Sequence, residues 1–311
     1  MAETIVNIEN ITHEYSGERA LNNVQLSIKK GEVFGFLGPN GGGKTTTFRI
    51  LGTLLKPTAG TATVCGFNVE SDSARVREHI GVVFQSPSLD LKLTVRENLR
   101  FSGMLHGLHG SAAVKQIDDV LRRLQLSDRS HDLVEKLSGG LQRRVEIAKG
   151  LLHRPDVLLL DEPSTGLDPG ARIDLWDYLL ALRREIGITV VVTSHILDEV
   201  EHCDRIAILD KGALVALGTP DELKREVGGE VVTIVAKDPD EVRTRLHERF
   251  GLTTTMVDNV IRFEKEDGHQ LVPQIIEAFP GRVSSVSVAK PTLEDVFILK
   301  TGHRLLNEKL N

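Results

Sequence analysis

Gly38-Pro39-Asn40-Gly41-Gly42-Gly43-Lys44-Thr45 follows an apolar, β-prone run at 32–37 and opens the stretch 44–56, where Phe48, Leu51 and Leu55 recur at helical spacing. The run satisfies G-x-x-x-x-G-K-[ST] in the strand–loop–helix context that this pattern demands. Its glycines leave backbone N–H groups free to converge on phosphate oxygens, and the helix start adds the positive end of its dipole. Lys44 is placed to reach β- and γ-phosphates, and the Thr45 hydroxyl is a hard oxygen ligand for Mg²⁺. A parallel α/β unit is expected here, with Pro57 ending the helix. Taken alone, the loop leaves kinases, GTPases, helicases and transporters open.

A second element narrows the field. Val157-Leu-Leu-Leu-Asp161-Glu162-Pro163 reads as a strand buried on both faces whose end presents two carboxylates. Ligands sit at the carboxyl ends of strands in open parallel sheets. Asp161 is expected in the magnesium shell, and Glu162 is placed to orient or deprotonate an attacking water. A third element, Leu137-Ser138-Gly139-Gly140-Leu141-Gln142, opens a helix and offers another anion site, although standing alone it reads first as a plain helix cap.

Composition removes whole classes. The 311 residues suggest roughly two domains of about 150 residues each. Lys+Arg 38 against Asp+Glu 44 gives a net charge of −6, a field that does not recruit nucleic acid. Hydrophobic residues make up 40% and aromatic ones 4%, so the expected core is aliphatic and single-strand stacking platforms are disfavoured. No apolar run approaches the about 18 residues of a membrane span; the longest are 157–160 and 188–192. The first ten residues carry Glu3 and Glu9 and do not read as a signal peptide. Two cysteines, Cys65 and Cys203, are too few for a disulfide framework and fit a reducing compartment.

Residues 86–154 read as mainly helical, with a capping box at Thr94-Val-Arg-Glu97, a helix at 113–126 and another at 138–152. A helix at 171–185 and a strand at 187–193 follow. Beyond the capping box Thr219-Pro-Asp-Glu222 and the break at Gly228-Gly229, the expected order is strand 231–236, helix 239–250, strands 252–257 and 260–264, helix 269–279 and strand 283–289. Asp258-Asn259 supplies a two-residue hairpin turn. That β-α-β-β-α-β order is the ferredoxin-like split arrangement, and a last helix starts at Thr292-Leu-Glu-Asp295.

Taken in order, these segments resemble the ATP-binding subunit of an ABC transporter over about residues 4–220. Gly38 to Thr45 resembles the Walker A loop, 157–162 the Walker B strand and 137–142 the signature loop. Ser164-Thr-Gly-Leu-Asp168 resembles the D-loop, His195 in Thr193-Ser-His the switch histidine, and Gln85 in Gly81-Val-Val-Phe-Gln85 the Q-loop glutamine. Tyr15 lies where the family places an aromatic against adenine. The resemblance implies a P-loop NTPase core of ABC ATPase type at 1–220, with a helical insertion at about 86–154, plus a small α+β accessory domain at 230–311.

It also implies ATP and Mg²⁺ as cofactors. Gly38, Pro39, Asn40, Gly41, Gly42, Gly43, Lys44, Thr45 and Thr46 would hold the phosphates, and Thr45, Gln85 and Asp161 the metal. Glu162, His195, Lys44 and Gln85 would carry catalysis. Ser138, Gly139 and Gly140 of a second copy or a paralogue would close each site head to tail, with Asp168 at the dimer interface. The expected partner is a polytopic permease met through 86–94, which would hold the chain at the cytoplasmic face of the membrane. No nucleic-acid partner is expected. Arg143 and Arg144 read as a solvated helix face with ion pairs, and the histidines other than His195 as surface residues.

Leu141, where many members carry Gln, and the ending Lys290-Pro-Thr-Leu-Glu-Asp-Val-Phe297 resemble drug-resistance and polysaccharide exporters. Gly42 stands where Ala is usual in the family. An importer subunit is one alternative. Another is a soluble ABC ATPase of translation or repair, which usually shows two cassettes or a coiled-coil insertion; neither is visible here.

Overall fold

The computed structural model describes residues 3–305, and the chain divides between Leu214 and Val215 into two compact units. The first opens on a hairpin, β1 (Thr4–Tyr15) and β2 (Glu18–Lys29), followed by β3 (Val33–Leu37), α1 (Lys44–Leu51), β4 (Ala59–Val64), β5 (Phe67–Asn68), α2 (Ser73–His79) and β6 (Ile80–Val83). The helical segment comprises α3 (Val95–Leu105), α4 (Gly110–Arg123) and α5 (Gly139–Leu151). Then come β7 (Val157–Asp161), α6 (Pro169–Ile186), β8 (Thr189–Ser194), α7 (Leu197–Val200), β9 (Arg205–Asp210) and β10 (Ala213–Gly218), which runs across the division.

Two sheets carry this unit. One has the order β2-β1-β4-β5, antiparallel throughout. The other has the order β10-β9-β3-β8-β7-β6, and its neighbours from β9 to β6 run parallel. Every residue of β3, β7 and β8 is buried, as expected for parallel strands covered on both faces. Thr94 starts α3 through the expected capping box. The first helix ends earlier than Pro57 suggests. Gly52 caps it, donating its N–H to Phe48 O at 2.8 Å, and Thr53 turns left-handed at φ 61°, which stops the helix before Leu55.

The second unit contains α8 (Pro220–Arg225), β11 (Glu230–Ala236), α9 (Pro239–Phe250), β12 (Thr255–Val257), β13 (Val260–Lys265), α10 (Val272–Ala278), β14 (Val283–Ala289) and α11 (Leu293–Thr301). Its sheet has the order β12-β13-β11-β14, the split β-α-β order expected of a ferredoxin-like domain. Asp258 and Asn259 turn the β12–β13 hairpin with φ 51° and 61°, both left-handed as a type I′ turn requires. Val232, Ile234, Val242, Leu246, Ile261 and Phe263 form the heart of its core. The expected strand 252–257 shortens to three residues, and a 3-10 turn at Gly268–Leu271 precedes α10, so that helix is shorter than 269–279.

The terminal motif has a structural purpose. Asp295 Oδ2 accepts from the Thr292 N–H at 2.6 Å and from its hydroxyl at 2.8 Å, capping α11, while Oδ1 pairs with Arg262. Both partners are buried. Asp295→Ala should therefore cost about 3–5 kcal/mol, the range for breaking a buried pair, read as a lower urea midpoint. Asp295→Asn, which keeps a cap acceptor, should recover part of that loss.

Candidate active site

Register brings the site together. The pairings Leu37↔Ser194, Asp161↔Thr193 and Val83↔Leu160 align the carboxyl ends of β3, β8, β7 and β6 along one sheet edge. The loops leaving those ends carry the glycine-rich run, Glu162, His195 and Gln85. A cavity of about 720 Å³ lies over this edge. Tyr15, Lys44, Thr45, Gln85, Glu162, Thr165 and His195 are among its lining residues.

Two glycines of the loop have no room for a side chain. A Cβ on Gly38 would stand 2.2 Å from Leu209 O. Gly43 sits at φ 106°, where a Cβ would stand 2.7 Å from Leu21 Cδ2. The loop thus presents backbone amides at the start of α1. Lys44 is 4% exposed and donates to Gly38 O at 2.7 Å and Pro39 O at 3.0 Å, with Glu162 Oε1 at 3.7 Å. Burial holds its ammonium below the usual lysine range, opposed by the Glu162 and Asp161 carboxylates.

Asp161 Oδ1 accepts from Thr193 Oγ1 at 2.6 Å and from Thr45 Oγ1 at 3.4 Å. Burial pushes its carboxyl up, and the Thr193 hydrogen bond opposes that shift. A hydroxyl beside a carboxylate is a hard oxygen pair, the donor chemistry that magnesium takes. Glu162 is 7% exposed and left-handed, at φ 43°. Its N–H donates to Thr193 Oγ1 at 2.9 Å and Thr193 O at 3.2 Å, which holds a conformation unfavourable for a non-glycine residue. Its carboxylate accepts from Gln85 Nε2 at 3.1 Å and Thr165 Oγ1 at 3.3 Å, and His195 Nδ1 lies 3.2 Å away without hydrogen-bond alignment.

Tyr15 stands at the cavity rim, 41% exposed, edge-on to His13. Ser138, Gly139, Gly140 and Asp168 are not among the lining residues. Ser138 caps α5, its Oγ accepting from the Leu141 N–H at 3.4 Å, and it is exposed with Gly139. A Cβ on Gly140 would stand 3.0 Å from Ala171 Cβ, so this turn lies against the start of α6. Asp168 caps that helix, accepting from the Ala171 N–H at 3.0 Å. Within one chain the phosphate loop and the Ser138 turn do not meet.

Two expectations are corrected. Arg143 is buried, not solvated: it donates to Phe84 O at 2.8 Å, Gln85 O at 3.3 Å and Glu146 Oε2 at 2.7 Å. Glu146 in turn accepts from the Ser88 N–H at 2.5 Å, and Lys149 donates to Ser88 O at 2.6 Å. The loop 84–88 is thereby tied to α5, the helix that Ser138 opens. An Arg-Glu pair three residues apart reads equally as surface decoration, which hid this role. His13 is likewise buried, with neither ring nitrogen hydrogen-bonded. Thr165 and Thr193 also went unassigned in the sequence, although both lie inside the quoted motifs and hold Glu162.

Comparison with known proteins matches residues 21–165 to the ABC transporter family and 218–301 to the C-terminal domain of DrrA1-3-like ATP-binding proteins. The chain is 36% identical over 308 residues to the daunorubicin resistance ATP-binding protein DrrA3 of Streptomyces coeruleorubidus, covering 97% of each. It is also 36% identical over 308 residues to the Nod factor export ATP-binding protein I of Burkholderia orbicola, covering 98% of this chain and 99% of that one. Among solved structures, it resembles a dimeric ATP-binding cassette in a post-hydrolysis state bound to ADP and phosphate. That match has a TM-score of 0.62 and 31% identity, covering 69% of this chain and 98% of that one.

Arg143→Ala should release the Phe84 and Gln85 carbonyls while leaving the phosphate loop intact. ATPase turnover should fall at least about tenfold, one lost charge-assisted hydrogen bond in the positioning of Gln85, with the nucleotide Kd little changed. Parallel turnover and nucleotide-titration measurements check this split.

Proposed function

The chain belongs to the ABC transporter family as an ATP-hydrolysing subunit of the export type, and we propose that two such subunits close head to tail over two bound MgATP molecules. One observation supports this reading above others: the cavity gathers Tyr15, Lys44, Gln85, Glu162 and His195, while the Ser138 turn and Asp168 lie outside it, exposed on the same chain. A second copy or a paralogue would supply Ser138, Gly139 and Gly140 to the γ-phosphate held by Lys44, and Asp168 would cross that interface.

The backbone N–H groups between Gly38 and Thr46, Pro39 excepted, and the Lys44 ammonium hold the phosphates, and Tyr15 stacks on the adenine. Thr45 and Asp161 would hold Mg²⁺, which neutralises charge developing on the phosphate oxygens, with Gln85 reaching the same shell. Glu162 orients the attacking water and accepts its proton, and His195 donates to the γ-phosphate. Positioning and electrostatic stabilisation carry most of the barrier lowering in such transfers.

Among the described residues no helix is long and apolar enough to cross a membrane. A separate permease would hold the subunit at the cytoplasmic face. Its docking surface would lie beside Gln85, where Leu54 and Phe84 are 58% and 39% exposed and line a cavity of about 260 Å³ with Ser102 and His106. The neighbouring turn 86–94 is braced by Lys92 N–H donating to Asp90 Oδ1 at 2.9 Å and by the exposed Lys92–Glu135 pair. An export cargo, of the kind named for the daunorubicin resistance and Nod factor export relatives, would be handled by that permease.

Glu162→Gln should bind ATP and run as a dimer on size exclusion in its presence, with turnover reduced about 10²–10⁴-fold. A monomeric elution with ATP bound would count against the head-to-tail reading. Asp90→Ala with Lys92→Ala removes only solvent-screened surface contacts, so ATPase activity should persist while transport is lost. A parallel fall of both activities would make the turn structural.

A further inference from the structure

We propose that Cys65, His79 and Asp156 form a binding site for a zinc-class divalent cation, at the opposite end of β7 from Asp161. One donor atom from each residue lies within 4.8 Å of the other two. His79 Nδ1 already stands 2.6 Å from Asp156 Oδ2. A tetrahedral zinc ion with bonds of about 2.0–2.3 Å sets its donors roughly 3.3–3.7 Å apart, so small side-chain rotations complete the shell.

The backbone holds all three residues in place. The Cys65 N–H donates to Ile5 O at 2.7 Å, and Cys65 turns left-handed at φ 52° between β4 and β5. The Asp156 N–H donates to His79 O at 2.9 Å, and Asp156 O accepts from the Thr189 N–H at 3.0 Å. The His79 ring stacks on Phe67, with centroids 5.3 Å apart.

Donor chemistry selects the metal. A thiolate, an imidazole and a carboxylate suit Zn²⁺ and its neighbours, whereas Mg²⁺ and Ca²⁺ prefer oxygen donors. The thiolate and carboxylate together offset the charge of a divalent ion. Cys65 and His79 are half-buried and Asp156 is exposed, so the outer side of the site stays open to water as a fourth ligand. The ion would tie the β4–β5 turn of the antiparallel sheet to the starts of β6 and β7 in the parallel sheet. Its role would be a staple that stabilises the nucleotide-binding unit, separate from the magnesium chemistry at the other end of β7.

The test uses the full chain, nucleotide-free and stripped with a chelator, then titrated with Co²⁺ and Zn²⁺ in the presence of Mg²⁺. The wild type should show a thiolate-to-cobalt charge-transfer band saturating at one equivalent, displaced by Zn²⁺, and Zn²⁺ should raise Tm where Mg²⁺ does not. Cys65→Ser should abolish the band, and His79→Gln and Asp156→Asn should each weaken Zn²⁺ binding about tenfold or more. Cys203→Ala, which alters the buried second thiol, should keep the band. Melting of each variant in chelator controls for folding. A wild type with neither band nor Tm rise overturns the site, and so does a band that survives Cys65→Ser or vanishes in Cys203→Ala.

Discussion

The Glu162 carboxylate is held by four different parts of the chain. Lys44 from the phosphate loop lies beside one oxygen with His195, and Gln85 and Thr165 hydrogen-bond the other. The backbone under it is forced left-handed and kept there by Thr193. Each partner leaves a different strand end, so the carboxylate works only if β3, β6, β7 and β8 keep their register. The buried, largely apolar strands β3, β7 and β8 hold that register, because a slip would repack the core on both of their faces. In the proposed reaction the same carboxylate faces the attacking water, so order in the whole sheet edge reaches the reacting atoms through one group.

The loop 84–88 extends that order outward. Arg143, Glu146 and Lys149 bind it to α5, and α5 begins at the Ser138 turn. Gln85 and Ser138 therefore belong to one hydrogen-bonded body. In the proposed pair, a second subunit drawing the Ser138 turn onto its phosphate would move the loop carrying Phe84 and Gln85 with it. Desolvated partners such as Arg143 and Glu146 would transmit that motion with little slack, because separating them leaves a buried charge unpaired.

What was legible in the sequence is what chemistry forces into short, fixed spacings. A phosphate cradle needs glycines, a lysine and a hydroxyl within one turn, and the Walker-type acids need a strand to end under them. The capping boxes at Thr94, Thr219 and Thr292 and the Asp258-Asn259 turn were legible for the same reason: each acts over three or four residues. Arg143 was not, since its carbonyl partners lie far away in sequence and its burial depends on how α5 packs against β6. The early end of α1 depends on Gly52 and Thr53, which compete locally with the stronger Pro57 signal. Cys65, His79 and Asp156 come from three segments, so nothing in their spacing announces that they meet.

In the proposed pairing each chain holds half of each site, which has a direct kinetic consequence. ATP turnover per subunit, followed across a dilution series at saturating MgATP, measures whether hydrolysis needs two subunits. A head-to-tail pair predicts turnover per subunit that falls steeply on dilution and climbs to a plateau as subunits associate. Turnover that stays constant at every dilution would mean that a single copy completes its own site and would contradict the account.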